Sequence, residues 1–138
     1  MNNKFKIWCK NNKEWEKDYC VINKNGSLFQ DYKGNLIPIR SDTHEIVVYA
    51  GISDNSEYKG NYKEEQDVYE KDIIKFTYED EEYIGYIQFE GAMFIVISTD
   101  LPDGYLPLFD ILDNDGRIYW LNGQVIGNKF ENGELLEK

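Results

Sequence analysis

The sequence predicts an all-β fold of mainly antiparallel strands with little helix. Three observations carry this prediction: short runs of β-branched and aromatic residues alternating with polar ones, turn signals built on Gly and Asn at close spacing, and no long amphipathic helical pattern. Short strands joined this way suit a barrel-like or sandwich architecture, because a small meander buries neither face without curling or meeting a partner sheet.

Lys4-Phe5-Lys6-Ile7-Trp8-Cys9-Lys10 alternates polar and apolar in its first half, the pattern of a half-buried first strand. A second strand is expected over 18–22, after which Asn25-Gly26 offers the positive φ of a tight hairpin turn before Ser27-Leu28-Phe29. Lys33-Gly34-Asn35 reverses the chain again ahead of 36–39, where Pro38 lacks a backbone donor and so belongs at an edge or a strand end. Residues 45–50 are strongly β-branched and read as a strand ending at Gly51; the polar stretch 53–67 reads as a long loop.

The clearest β signal follows. Residues 72–78, the acidic turn Glu79-Asp80-Glu81-Glu82, residues 83–89, Gly91 and residues 93–98 make a three-strand meander. Ile74, Phe76 and Tyr78 share one face, and Tyr83, Ile87 and Phe89 share a face of the next strand. An acidic connection over 100–115 leads to strands over 118–121 and 124–130, with Asn122-Gly123 as their hairpin turn, and 134–138 adds one helical turn.

A chain of 138 residues holds one compact domain, or one domain with a small appendage. The net charge of -11 excludes a generic coat for nucleic acid or anionic lipid. Residues 1–40 carry eight basic and four acidic side chains, or +4, which leaves -15 for residues 41–138. The expected division is therefore a basic N-terminal β-hairpin region, 1–40, and an acidic core, 41–138. Such polarity fits a basic part packed beside an acidic body, or one subunit's basic part meeting another's acidic part, so a homo-oligomer is compatible with it. No signal-peptide h-region and no run of about 20 apolar residues is seen, so the expectation is a cytosolic protein with no membrane partner.

Catalytic constellations are thin. His44 is the sole histidine, and a thiol–imidazole pair with Cys9 or Cys20 has no positional signature. The two cysteines read as ordinary thiols, with pairing between neighbouring strands left open. Asp113-Asn114-Asp115-Gly116 resembles part of a calcium loop, but the twelfth position falls on Asn122 where a bidentate Glu belongs, which excludes an EF-hand. Phosphate-binding Gly-rich loops and paired Cys/His zinc spacings are absent, so no cofactor and no metal are expected.

Four blocks of the chain resemble the YopX family of small phage and prophage proteins. They are Lys4-Phe5-Lys6-Ile7-Trp8; Tyr49-Ala50-Gly51-Ile52-Ser53-Asp54-Asn55 with Val68-Tyr69-Glu70-Lys71-Asp72-Ile73-Ile74-Lys75; Ile84-Gly85-Tyr86-Ile87-Gln88-Phe89-Glu90-Gly91-Ala92-Met93-Phe94; and Val125-Ile126-Gly127-Asn128-Lys129-Phe130-Glu131-Asn132. The resemblance implies a phage or prophage origin, a bacterial host cytosol and an SH3-like barrel core, and it carries over no catalytic residue. Lys71 stands where the family usually has Gly, which calls for a backbone conformation that tolerates a Cβ. The segment between Asn55 and Val68 is longer than usual, and Gly133 replaces a common Pro.

Two functional expectations follow. The first is a non-catalytic accessory protein, an inhibitor or counter-defence adaptor, whose acidic side chains Glu79, Asp80, Glu81, Glu82, Asp110, Asp113 and Asp115 engage a basic host protein, imitating the charge of nucleic acid. Surface tyrosines would anchor that contact. The alternative is an oligomeric sponge for a nucleotide-like defence signal, with Arg40 and Arg117 holding phosphate and an aromatic ring stacking on the base.

Overall fold

The computed structural model describes residues 5–17, 20–40, 42–54, 66–114, 116 and 119–137. Among these residues fourteen strands and two 3-10 turns make an all-β fold, and every strand pairing but one is antiparallel. The chain divides into two compact units, Met1–Val48 and Tyr49–Lys138. The division falls within a strand, eight residues beyond the 40/41 boundary that charge alone suggests. Asp42 and Glu45 thereby join the N-terminal unit, which carries +2 against -13 for the C-terminal unit.

The N-terminal unit contains β1 (Phe5–Cys9), β2 (Glu14–Trp15), β3 (Cys20–Ile22), β4 (Leu28–Tyr32), β5 (Asn35–Pro38) and residues 44–48 of β6 (His44–Ser53). β1 pairs with β2 on one side and with residues 44–48 on the other. Directly opposite residues in antiparallel strands share a face, so Phe5, Ile7 and Cys9 lie beside Val48, Ile46 and His44. Ile7 packs with Cys20 and Leu28 in a small buried cluster, bordered by Phe5, Ile22, Ile39 and Ile46. On the other face of β1, Trp8 meets Trp15 edge-on at 5.0 Å, and the Lys6 ammonium stands 4.9 Å from the Trp15 ring.

β4 and β5 are joined by Lys33 and Gly34 at φ 50° and 87°, the two positive values a primed hairpin turn requires. β5 ends on Pro38 at the edge of the β3-β4-β5 sheet, where the missing donor is harmless.

In the C-terminal unit, β6 continues through Gly51 instead of ending there. Gly51 at φ 83° lies inside the register break between the Tyr49–Tyr69 and Ser53–Asp67 pairs, so it serves a bulge in a continuing strand. β7 (Asp67–Tyr69) turns into β8 (Asp72–Tyr78), then β9 (Glu81–Glu90) and β10 (Met93–Ile97) complete the expected meander. The expected connection over 100–115 contains β11 (Tyr105–Pro107), a 3-10 turn Leu108–Ile111 and β12 (Leu112–Asn114). Charge masks these pieces in the sequence, and Leu108 and Ile111 are buried nonetheless. β13 (Tyr119–Leu121), β14 (Gly123–Asn128) and a 3-10 turn Gly133–Leu136 close the chain.

Asn122-Gly123 is not a hairpin turn. β13 pairs with β12 and, in parallel, with β6, whereas β14 pairs with β8, so the chain changes sheets at Asn122. A five-stranded sheet runs β11-β10-β9-β8-β14. Among the described residues no ladder joins β11 to β14, so the pairings establish an all-β, mainly antiparallel unit and do not by themselves establish the SH3-like barrel that the family resemblance implies. Its core includes Ile74, Phe76, Ile87, Val96, Leu121 and Val125.

The blocks that carry the YopX resemblance are structural ties. Asp54 is fully buried and its two carboxylate oxygens accept the backbone N–H groups of Gln66 (3.0 Å) and Val125 (3.2 Å). Asp72 accepts the Tyr69 N–H at 2.9 Å across the β7–β8 turn. Lys71 holds φ 72° there despite its Cβ, and its ammonium donates to the Gln88 side chain at 2.9 Å. Asn128 Oδ1 accepts from the N–H groups of Phe130 and Glu131, and Asn132 Oδ1 from that of Asn128. Most of the long loop expected over 53–67 lies outside the described residues; its ends belong to β6 and β7.

Candidate functional site: an acidic, aromatic face of the C-terminal unit

The four acidic residues of the β8–β9 hairpin do different things. The turn itself is only Glu79 and Asp80, at φ 51° and 66°, while Glu81 and Glu82 begin β9. Glu82 pairs with Lys75 at 2.8 Å, and Glu81 accepts the Tyr83 hydroxyl at 3.2 Å. The Tyr78 phenol is pushed above its ordinary pKa first by the charge of Glu79, then by burial, the charge of Asp110 and a hydrogen bond to Glu79. Tyr83 is pushed up by burial first, then by Glu81, with Glu79 and Asp100 adding to it. Thus Glu79 and Asp110 act on Tyr78, and Glu81, Glu79 and Asp100 on Tyr83, so carboxylates from three separate segments bear on the two tyrosines. Asp113 is exposed and accepts its neighbour's N–H, that of Asn114, at 2.9 Å; Asp115 lies outside the described residues.

Convergence on Tyr78 has a measurable sign. Carboxylates disfavour the phenolate, so an NMR titration will show Tyr78 ionising above the usual tyrosine value, and Asp110→Asn and Glu79→Gln will each move it down. In linkage terms the raised value stabilises the fold below the unfolded tyrosine pKa, and that contribution is lost as pH rises through the folded one. A Tyr78 midpoint indifferent to Asp110→Asn would separate the 3-10 turn from the hairpin.

Beside Asp110 the face turns aromatic. Phe109 is 67% exposed and Tyr119 49% exposed, with ring centroids 5.7 Å apart. Apolar rings left in water as a pair beside carboxylates are the composition of a contact surface. A cleft of about 280 Å³ is lined by Tyr83, Ile84, Leu135 and Leu136, with Glu82, Asp100, Glu137, Lys75 and Thr99 as its polar lining. Apolar walls with Asp100 and Glu137 among the lining suit the stem and head of a lysine or arginine, while Glu82 is already paired with Lys75.

The alternative ligand residues are placed differently. Arg40 already directs its guanidinium at Asp42, with Nε and Nη2 donating to the two carboxylate oxygens at 3.0 and 2.6 Å. That contact holds the Asp42 carboxyl below its ordinary pKa. Arg117 lies outside the described residues.

The N-terminal unit holds a second group of reactive side chains that sequence reasoning treated only as an unsupported pair. Cys9 and His44 stand opposite each other on β1 and β6, and Glu16 follows β2 along the same face. The Cys9 thiol donates to Glu16 Oε2 at 3.5 Å, and His44 Nε2 lies 4.0 Å from the same oxygen. Burial, then the hydrogen bond to Glu16 and its charge, push the thiol up to about 11. Cys9 is therefore a protonated thiol at neutral pH, poorly suited to nucleophilic catalysis. Both cysteines are free and buried, which realises the ordinary-thiol alternative. No spacing rule could have found this group, because its members come from segments joined only by strand pairing.

Compared with protein-family models, curated proteins and solved structures, the chain matches none. The YopX resemblance thus rests on the residues quoted above. Among the described residues no helix is long and apolar enough to cross a membrane.

Proposed function

We propose that this protein is a non-catalytic accessory protein of phage or prophage type, and that the acidic, aromatic face of its C-terminal unit docks a basic bacterial host protein as an inhibitor or adaptor. The observation that carries this reading is an acidic hairpin, with Glu79 and Asp80 at its turn and Glu81 bonded to Tyr83, together with the exposed Phe109–Tyr119 pair beside Asp110, in a unit of net charge -13. Carboxylates held in one place steer a basic partner and fix its register, while exposed rings supply contact energy. Phe109 and Tyr119 act as anchors, and the cleft beside Tyr83 takes a basic side chain of the partner. Charge mimicry of nucleic acid is the simplest account of a partner so recognised.

A pull-down from bacterial lysate with the full chain tests this. The captured protein should be basic, and its capture should weaken steeply as salt rises. Phe109→Ala should weaken binding about 30-fold, the cost of losing a central aromatic anchor of about 2 kcal/mol. Glu79→Gln combined with Asp110→Asn should slow association and flatten the salt dependence. Capture that is equally strong at low and high ionic strength, or indifferent to these substitutions, would remove this face from the function.

A further inference from the structure

We propose that Cys9, Glu16 and His44 form a binding site for a divalent cation of the zinc class, cross-linking β1, the segment after β2 and β6 within the N-terminal unit. One ligand atom from each residue lies within 4.8 Å of the others: the Cys9 sulfur, a Glu16 carboxylate oxygen and a His44 ring nitrogen. A tetrahedral zinc ion, with Zn–S of about 2.3 Å and Zn–N or Zn–O near 2.1 Å, sets its ligands about 3.6 Å apart for sulfur and oxygen and about 3.4 Å for nitrogen and oxygen. The sulfur–oxygen distance, 3.5 Å, already fits, while the nitrogen–oxygen distance of 4.0 Å and the sulfur–nitrogen distance, within 4.8 Å, must shorten by side-chain rotation.

The surroundings favour a cation. The Thr43 hydroxyl lies 3.1 Å from the Arg40 carbonyl oxygen and 2.8 Å from His44 Nδ1, and in the tautomer that a metal-bound Nε2 requires it accepts from Nδ1–H. That contact orients the ring with Nε2 toward the Glu16 carboxylate, 4.0 Å from its Oε2, where a cation can be shared between them. On loading, the thiol proton passes to water and the thiolate takes its place on the metal.

Thiolate, imidazole and carboxylate together select zinc or its cobalt analogue over magnesium or calcium. Cys9 is buried, while the Glu16 and His44 side chains are 18% and 22% exposed, so the fourth coordination position opens to water. A unit of 48 residues with a small apolar cluster is the kind of body that metal cross-links stabilise.

Titrating the full, reduced chain with Co²⁺ tests the proposal. One equivalent should bind with a sulfur-to-cobalt charge-transfer band and the visible bands of a four-coordinate ion, and Zn²⁺ should displace it. Cys9→Ser and His44→Ala should abolish the charge-transfer band and the tight binding respectively, whereas Cys20→Ser should keep both. Glu16→Gln, which preserves shape, should weaken binding at least tenfold, roughly the scale of losses at metal sites. Thr43→Val should weaken it about 10-fold to 100-fold through the loosened ring. The near-ultraviolet circular dichroism of the Trp8–Trp15 pair reports whether each variant has folded. No thiolate band in the wild-type chain, a band that persists in Cys9→Ser, or wild-type affinity in a folded Glu16→Gln would overturn the site.

Discussion

Asp54→Ala will cost the fold about 4 kcal/mol, the largest single loss expected outside the hydrophobic core. The substitution strips acceptors from two backbone N–H groups, those of Gln66 and Val125, the second of which sits 71 residues away on β14. Each buried donor that loses its partner costs about 1–3 kcal/mol, and the native state of an ordinary domain holds only about 5–15 kcal/mol in reserve. Asp54→Asn keeps one oxygen but turns an amide NH₂ toward the other donor, so it should fall between wild type and Ala. Urea unfolding of the full chain measures all three. Equal stability of Asp54→Asn and Asp54→Ala would mean that one of the two bonds contributes nothing.

Gly123→Ala will destabilise the C-terminal unit by about 2–3 kcal/mol, the upper part of the range for forcing atoms into packed space. A Cβ at this position would stand 2.8 Å from the Phe76 Cα and 3.0 Å from its Cβ, and would collide with the Lys75 carbonyl oxygen. These are mostly backbone atoms of β8, so no rotamer change makes room. Gly123→Asn separates the two roles of this residue. A turn glycine would accept Asn, but a glycine placed for close strand approach would not. Gly133→Ala, which meets nothing within 4 Å, is the control and should leave the denaturation midpoint nearly unchanged.

These residues show where sequence reading stops. Asp54 stood out as part of the phrase Tyr-x-Gly-Ile-x-Asp, but its role depends on a strand that arrives 71 residues later. Gly123 looked like half of an Asn-Gly turn because turn propensity is local, whereas the pairing of β14 with β8 is not. The acidic hairpin was legible as charge. Its division into Glu82 paired with Lys75, Glu81 under Tyr83 and Glu79 facing Tyr78 depended on register. Asp100 and Phe109 carried no sequence signal at all, since one more acid in an acidic connection and one more aromatic in an aromatic-rich chain are equally unremarked until exposure and neighbours are known.

The sequence by itself determined the all-β class, the β8–β9–β10 meander, the Lys33-Gly34 hairpin, the reversal at Gly26 (through a five-residue loop over 23–27 instead of a tight turn), and the acidic character of the C-terminal body. Each of these follows from interactions between residues close in the chain, where alternation and positive φ act directly. Tertiary structure decided the rest: that β6 passes through Gly51, that β13 and β14 belong to different sheets, that Asp100 and Asp110 come within electrostatic reach of Tyr83 and Tyr78, and that Cys9, Glu16 and His44 meet. Those outcomes depend on which distant strands pair and in which register, and a one-residue slip would send every side chain involved to the opposite face.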